Sequence, residues 1–138
     1  MKYLFILLFT SIFFAGCSKD EAPRLEAYNA EAFAYDIGGS WEVNASARVK
    51  GFNQVEQNEK FSVSLSYDID VITPGGDTLK SLITRVEEKE SNEQLTDLPL
   101  EVQFELDSTY AAGKYVLVFH INEPETGSTA STAAAFEL

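Results

Sequence analysis

Few side chains in this sequence could do covalent chemistry. His120 is the only histidine and Cys17 the only cysteine among 138 residues, and no Gly-x-Ser-x-Gly elbow occurs. A single His on a strand is more often packed or solvated than a working base. Zinc needs several Cys or His ligands, which the chain does not have. Carboxylates are plentiful, with 22 Asp and Glu, so calcium is the metal to weigh. Asp68 and Asp70 share one polar strand face, and Asp77, Asp107, Glu123 and Glu125 sit in or beside turns. Calcium takes about six to eight oxygen ligands, and no Asp-x-Asp-x-Asp-Gly loop gathers them here. An acidic chain also produces such pairs as ordinary solvated faces. No metal and no cofactor is expected. Paired carboxylates can run glycoside hydrolysis, but every loop inferred below is short and would not enclose a sugar. The remaining candidates are aromatic. Tyr28, Tyr35, Phe52 and Tyr110 are the rings expected at the surface, and the three tyrosines are candidate ligand contacts. Phe33, Phe61, Phe104, Phe119 and Phe136 fall at core positions.

Strands must position these residues, because period-two alternation dominates the chain. Trp41, Val43, Ala45, Ala47 and Val49 alternate with Glu42, Asn44, Ser46, Arg48 and Lys50. The same pattern recurs from Phe61 to Val71, from Leu98 to Leu106, and from Tyr115 to Ile121. One buried and one solvated face is the signature of antiparallel sheets. The strand from Tyr115 is apolar on much of both faces and belongs in the middle of its sheet. Pro74-Gly75-Gly76-Asp77 closes a hairpin into Thr78 to Glu88. Polar stretches cover Asn53 to Lys60 and Lys89 to Asp97, and a last strand runs from Ser128 to Leu138 with Phe136 and Leu138 inward. Leu25 to Ile37 alternates poorly and is open to a helical reading. Because Phe33, Tyr35 and Ile37 alternate into Gly38-Gly39, a strand is expected there. The sum is seven strands in one two-sheet sandwich over 25–138.

The amino terminus carries an address. Lys2 precedes an apolar run from Tyr3 to Phe14, too short for the roughly 20 residues that span a bilayer but suited to a signal peptide. Ala15-Gly16-Cys17 after that run resembles the lipobox of bacterial lipoproteins, in which the cysteine becomes the acylated mature terminus. Lys19-Asp20-Glu21 resembles the export signal of Bacteroidota-type surface lipoproteins. These resemblances imply a signal peptide over 1–16, a lipidated Cys17 and acidic tether over 17–24, and an outer-membrane protein that faces the exterior. Retention on the periplasmic face is the alternative. Several acyl chains would hold such a protein firmly on a membrane. Losing Lys2 with the leader moves the formal charge from −12 to −13, a balance that argues against nucleic acid and against anionic lipid as partners. The remaining length is enough to bury roughly two-thirds of the extended surface without disulfides.

Leu106-Asp107-Ser108-Thr109-Tyr110-Ala111-Ala112-Gly113-Lys114-Tyr115 resembles the corner between two strands in immunoglobulin-like and fibronectin type III-like bacterial domains. There a tyrosine ring closes the turn, a role that Tyr115 fits best and Tyr110 second. The resemblance implies a fold and no function. Asp77-Thr78-Leu79 and Asp107-Ser108-Thr109 resemble the O-glycosylation sites of exported proteins in the same bacterial group, making Thr78 and Ser108 candidate acceptors. The expectation is therefore a non-enzymatic, lipid-anchored binding or scaffold module, an accessory subunit of an envelope complex or an adhesion module, with a protein partner. The alternative is a small carbohydrate-binding module. The uncharged last strand from Ser128 to Ala135 is an edge suited to strand addition.

Overall fold

In the computed structural model residues 23–138 are described; the leader, Cys17 and Lys19-Asp20-Glu21 lie outside them. Eight strands follow one another: β1 (Glu26–Asp36), β2 (Ser40–Lys50), β3 (Val55–Gln57), β4 (Lys60–Ile72), β5 (Thr78–Ser91), β6 (Asp97–Asp107), β7 (Lys114–Glu123) and β8 (Ser128–Glu137). All pairings are antiparallel. One sheet has the order β1-β2-β6; the other runs β4-β7-β8, with β5 and the short β3 both on β4. The expected seven strands therefore become eight. The addition is β3, which lies inside the polar Asn53–Lys60 stretch and is exposed throughout. It has no apolar alternation to betray it and exists because Asn58 and Glu59, both at positive φ, turn it straight back onto β4.

The two sheets enclose one apolar interior. Val43, Val49, Leu65, Ile69, Val71, Leu100, Leu117 and Phe119 are fully buried. β7 sits between β4 and β8, as its two apolar faces require. Tyr67 reaches across the sandwich, where its hydroxyl donates to the Glu101 carbonyl at 3.2 Å. Tyr115 closes the corner between β6 and β7: its ring stacks on Phe136 at 5.4 Å and its hydroxyl donates to the Ala111 carbonyl at 2.7 Å. Burial raises the Tyr115 pKa, which keeps the phenol a donor through neutral pH. Beside this corner, Gly113 has no room for a Cβ, which would come 2.9 Å from Pro74. At the opposite end Gly51, at φ +70, lies against the Arg24 carbonyl, where a Cβ would come within 2.0 Å. Any side chain at this position would collide with the incoming backbone.

β1 is a strand, as expected, but it faces the other way from the expected packing. Its inward residues are Ala27, Ala30, Ala32 and Ala34, while Phe33, expected in the core, is 56% exposed. The cause is a bulge. Tyr28 pairs with Arg48 and Glu31 with Ser46, so two residues of β1, Asn29 and Ala30, stand opposite Ala47 alone. One extra residue reverses parity. Odd positions point inward before the bulge (Leu25, Ala27) and even positions after it (Ala30, Ala32, Ala34). Asn29 takes the left-handed backbone at φ 50, which Asn tolerates better than most residues. The small inward side chains let β1 run close beside β8, which offers Ala130 and Ala134 to the core. Phe52, expected at the surface, instead turns into the core from the β2–β3 connection, at 3% exposure. Phe119 and Phe136 are core residues as expected, while Phe61 and Phe104 are half-buried.

Two substitutions check this account by chemical denaturation. Asn29→Ile should lower stability by about 1–2 kcal/mol, since a β-branched residue resists the left-handed region, whereas Asn29→Gly should be nearly neutral. Tyr115→Phe keeps the ring stack but orphans the Ala111 carbonyl, and should lower stability by about 1–2 kcal/mol.

Candidate functional site

The outward face of β1-β2-β6 is where the expected and unexpected aromatics meet. Beyond the bulge, β1 presents Glu31, Phe33 and Tyr35, and Ile37 continues the line into the Gly38-Gly39 turn. Register places each beside defined neighbours: Glu31 beside Ser46 and Glu101, Phe33 beside Asn44 and Gln103, Tyr35 beside Glu42 and Glu105. Directly opposed side chains on one face stand about 5 Å apart at Cβ, so these form three rows, with apolar rings in two. Phe33 and Tyr35 are each 56% exposed and Ile37 is 49% exposed. Between Phe33 and Gln103 lies an open depression of about 340 Å³ whose rim includes Glu31, Asn44 and Glu101. Asn44 donates to the Glu42 carboxylate at 2.9 Å, which orients both polar groups beside the rings.

The other two tyrosines do not join this stripe. Tyr28, on the near side of the bulge, is clasped: its hydroxyl donates to Asp97 at 3.0 Å and Lys50 Nζ lies 5.0 Å from its ring centre. Arg48 completes the cluster with Asp97 at 2.6 Å. The Arg48 guanidinium, then the Tyr28 hydroxyl, hold the Asp97 carboxyl below its ordinary range. This cluster joins β1, β2 and β6 at the end where the chain enters and is structural. Tyr110 is half-buried against the core at the opposite end. Of the three tyrosine candidates the structure therefore leaves Tyr35 as an open contact and supplies Phe33 as its neighbour. Phe33 was missed because a strand read without its bulge sends it to the core; the break in alternation at Asn29-Ala30 was the available sign.

The carboxylates expected as the calcium candidates are already engaged by the protein. Asp68 accepts from Thr84 Oγ1 at 2.6 Å. Asp70 accepts from the Ser81 backbone N–H at 2.7 Å and stands 3.1 Å from His120 Nε2. Ser81 sits at φ 47 in a β5 bulge opposite Asp70, so this carboxylate serves to pin an edge strand. Among the described residues no three His, Cys, Asp or Glu come together as a metal site. Glu123 is the one buried carboxylate among them, at 4% exposure, and it accepts from the Asn53 backbone N–H and Thr126 Oγ1. It ties the end of β7 to the β2–β3 connection. His120 is half-exposed on the open face of β7, on the wall of a shallow depression of about 560 Å³ that Asp68, Asn122 and Thr129 also line.

Thr78 and Ser108 are both exposed. Thr78 opens β5 after the Thr73–Asp77 turn, and Ser108 follows β6. Packing of Pro74 against Gly113 brings these two connections together, at the end of the sandwich opposite the entry of the chain at Leu25. Asp107 accepts from the Thr109 hydroxyl and then from its N–H at 2.8 Å, which together hold its pKa low and shape the turn that presents Ser108.

Among solved structures, the chain is similar to a segment of Bacteroides uniformis beta-glucuronidase 2 covalently bound to cyclophellitol-6-carboxylate aziridine, with a TM-score of 0.58 at 8% identity. A second match is to a Bacteroides uniformis beta-glucuronidase, with a TM-score of 0.54 at 9% identity. Each match covers 85% of this chain but only 15% and 14% of those chains respectively. At such identity the likeness is one of fold. No family model and no curated protein matches the sequence.

The Tyr28–Arg48–Asp97 cluster sets a pH dependence. A carboxyl held below its ordinary value contributes stability that is complete above the unfolded-state value, about 4, and lost as pH falls through the lower folded value. Asp97→Asn should therefore flatten the loss of melting temperature between pH 5 and pH 2 relative to the parent, as read by circular dichroism.

Proposed function

We propose that this chain is a non-enzymatic lipoprotein of the outer membrane, displayed at the cell surface, that works as a binding or scaffold module in an envelope complex or in adhesion. The observation that carries the binding role is the Phe33–Tyr35–Ile37 stripe, three large apolar side chains on a sheet face, turned outward by a bulge. Exposed apolar residues in a contiguous group mark interaction surfaces more often than isolated ones do. The non-enzymatic part rests on the engagement of the acidic side chains described above and on a lone His120 on an open face.

The sheet order supports the finer fold reading. With β3 set aside, three strands face four in the order β1-β2-β6 against β5-β4-β7-β8. This is the arrangement of fibronectin type III-like and related immunoglobulin-like sandwiches, and the Tyr115 hydroxyl reaching back to Ala111 is their corner contact.

Acylation at Cys17 would place the domain on a short leash. A tether of residues 17–24 would reach at most about 28 Å if fully extended, and the described chain enters the sandwich at Leu25, at the end away from Thr78 and Ser108. On this reading the two O-glycosylation candidates and the Gly38-Gly39 turn face away from the membrane. Lys19-Asp20-Glu21 would act as a receptor-read address. A second reading, a carbohydrate-binding module, draws support from Tyr35 and Phe33 lying beside the amides of Asn44 and Gln103, which could stack on and hydrogen-bond a sugar.

Mass spectrometry of the protein from envelopes should find an acylated amino-terminal Cys17, and Cys17→Ser should release it to the soluble fraction. Affinity isolation from solubilised envelopes should return one stoichiometric protein partner. A soluble, unacylated parent protein would overturn the anchor, and glycan capture without any protein would favour the second reading.

A further inference from the structure

Resting on the reading of the chain as a binding module, we propose that the outward face of β1-β2-β6, centred on Phe33 and Tyr35, docks a protein surface rich in Lys and Arg. The apolar part of this face is built in. After the bulge at Asn29, β1 gives the core only alanines and sends its rings out, although an inward Phe or Tyr would bury far more apolar area. Bulges that re-aim side chains in this way are features of sites. Phe33 and Tyr35, two positions apart on a strand, stand about 6.8 Å from one another along β1, and Ile37 extends the line.

The charge around the rings selects the occupant. Glu31, Glu42, Glu101 and Glu105 border Phe33 and Tyr35 in the register of the three strands. The only cations of these strands, Arg48 and Lys50, lie at the far end, where they are tied to Asp97 at 2.6 Å and Glu26 at 3.3 Å. The carboxylates beside the rings thus have no cation facing them. A partner's Lys or Arg would set its charge over a ring face and near a carboxylate at once, while its aliphatic stem covered the apolar stripe. A second copy of this chain would set carboxylates against carboxylates, and an anionic polymer or lipid surface would do the same. A neutral glycan could use the rings, the amides of Asn44 and Gln103 and hydroxyl hydrogen bonds to the carboxylates, but would leave the charge of the acidic border uncompensated.

The test uses the full chain in a neutral polyoxyethylene detergent, titrated with three probes: the peptide (Arg-Gly)5, its counterpart (Glu-Gly)5, and cellohexaose. Amide chemical shifts should move at residues 31–37, 42–46 and 101–105 with (Arg-Gly)5 alone. The double variant Phe33→Ser/Tyr35→Ser should weaken that binding by about tenfold or more. Glu42→Gln/Glu105→Gln should weaken it and flatten its dependence on salt. Both variants should melt within a few degrees of the parent, because Phe33, Tyr35 and Glu105 are exposed and Gln at the half-buried position 42 keeps an acceptor for Asn44. The proposal is overturned if cellohexaose moves these amides and (Arg-Gly)5 does not, if the peptide binds the ring variant as well as the parent, or if sedimentation shows self-association that the ring variant abolishes. None of these outcomes bears on acylation at Cys17 or on envelope capture of a protein partner through another face, so failure here is separable from failure of the binding-module reading.

Discussion

Alternation of side chains along a strand is the constraint on which this domain depends. Two sheets share a dry interior only if each strand commits one face to it, and here β2, β4, β6 and β7 do so without interruption. In β1 the commitment changes residue parity at Asn29-Ala30, so that alanines meet the interior on one side and Glu31, Phe33 and Tyr35 meet solvent on the other. The same bulge therefore shapes the core and exposes the candidate surface. Close approach of β1 to β8 follows, because alanine side chains from both strands occupy the space between the sheets.

The ends of the sandwich are closed by polar contacts of a different kind. At the entry end, Tyr28, Arg48 and Asp97 bind three strands together, and Glu123 accepts from Asn53 and Thr126 beneath the β2–β3 connection. At the other end, Tyr115 spans the β6–β7 corner and Gly113 exchanges two backbone hydrogen bonds with Leu138, each 3.1 Å. Buried polar groups are tolerable where their partners are complete, and among the described residues no buried side-chain polar atom lacks one. The acidic surplus is left for the surface. Part of it pins structure, as Asp68 and Asp70 do for β5, and part borders the exposed rings.

Charge of the opposite sign marks the β5 edge. This strand pairs with β4 alone, exposes Leu82 and Val86, and carries Lys80, Arg85 and Lys89 along its length. Charged residues and a bulge at Ser81 blunt such an edge against unwanted strand pairing. β8, the opposite edge, has small and uncharged residues from Ser128 to Ala135, but β1 from the other sheet runs close beside it. The outward face of β1-β2-β6 carries the Phe33–Tyr35–Ile37 stripe.

Much of the architecture was legible in the residues themselves. The strands of Trp41, Phe61, Leu98 and Tyr115, the central place of β7 and the Pro74–Asp77 hairpin follow from alternation and turn chemistry, which are local, while the corner role of Tyr115 was implied by the resemblance of its sequence run. The lipobox-like Ala15-Gly16-Cys17 and the acidic Lys19-Asp20-Glu21 are likewise readable only as sequence, since they lie outside the described residues. Tertiary structure decided what locality could not. A bulge changes parity through one residue whose own propensity hardly marks it, so Phe33 passed for core; a three-residue strand at Val55–Gln57 forms only because a turn returns it to β4. Phe52 is buried because the connection that carries it packs its ring into the core, and Asp68 and Asp70 find their partners on β5 and β7. Each of these depends on which strands become neighbours, and that is settled by the packing of the whole chain.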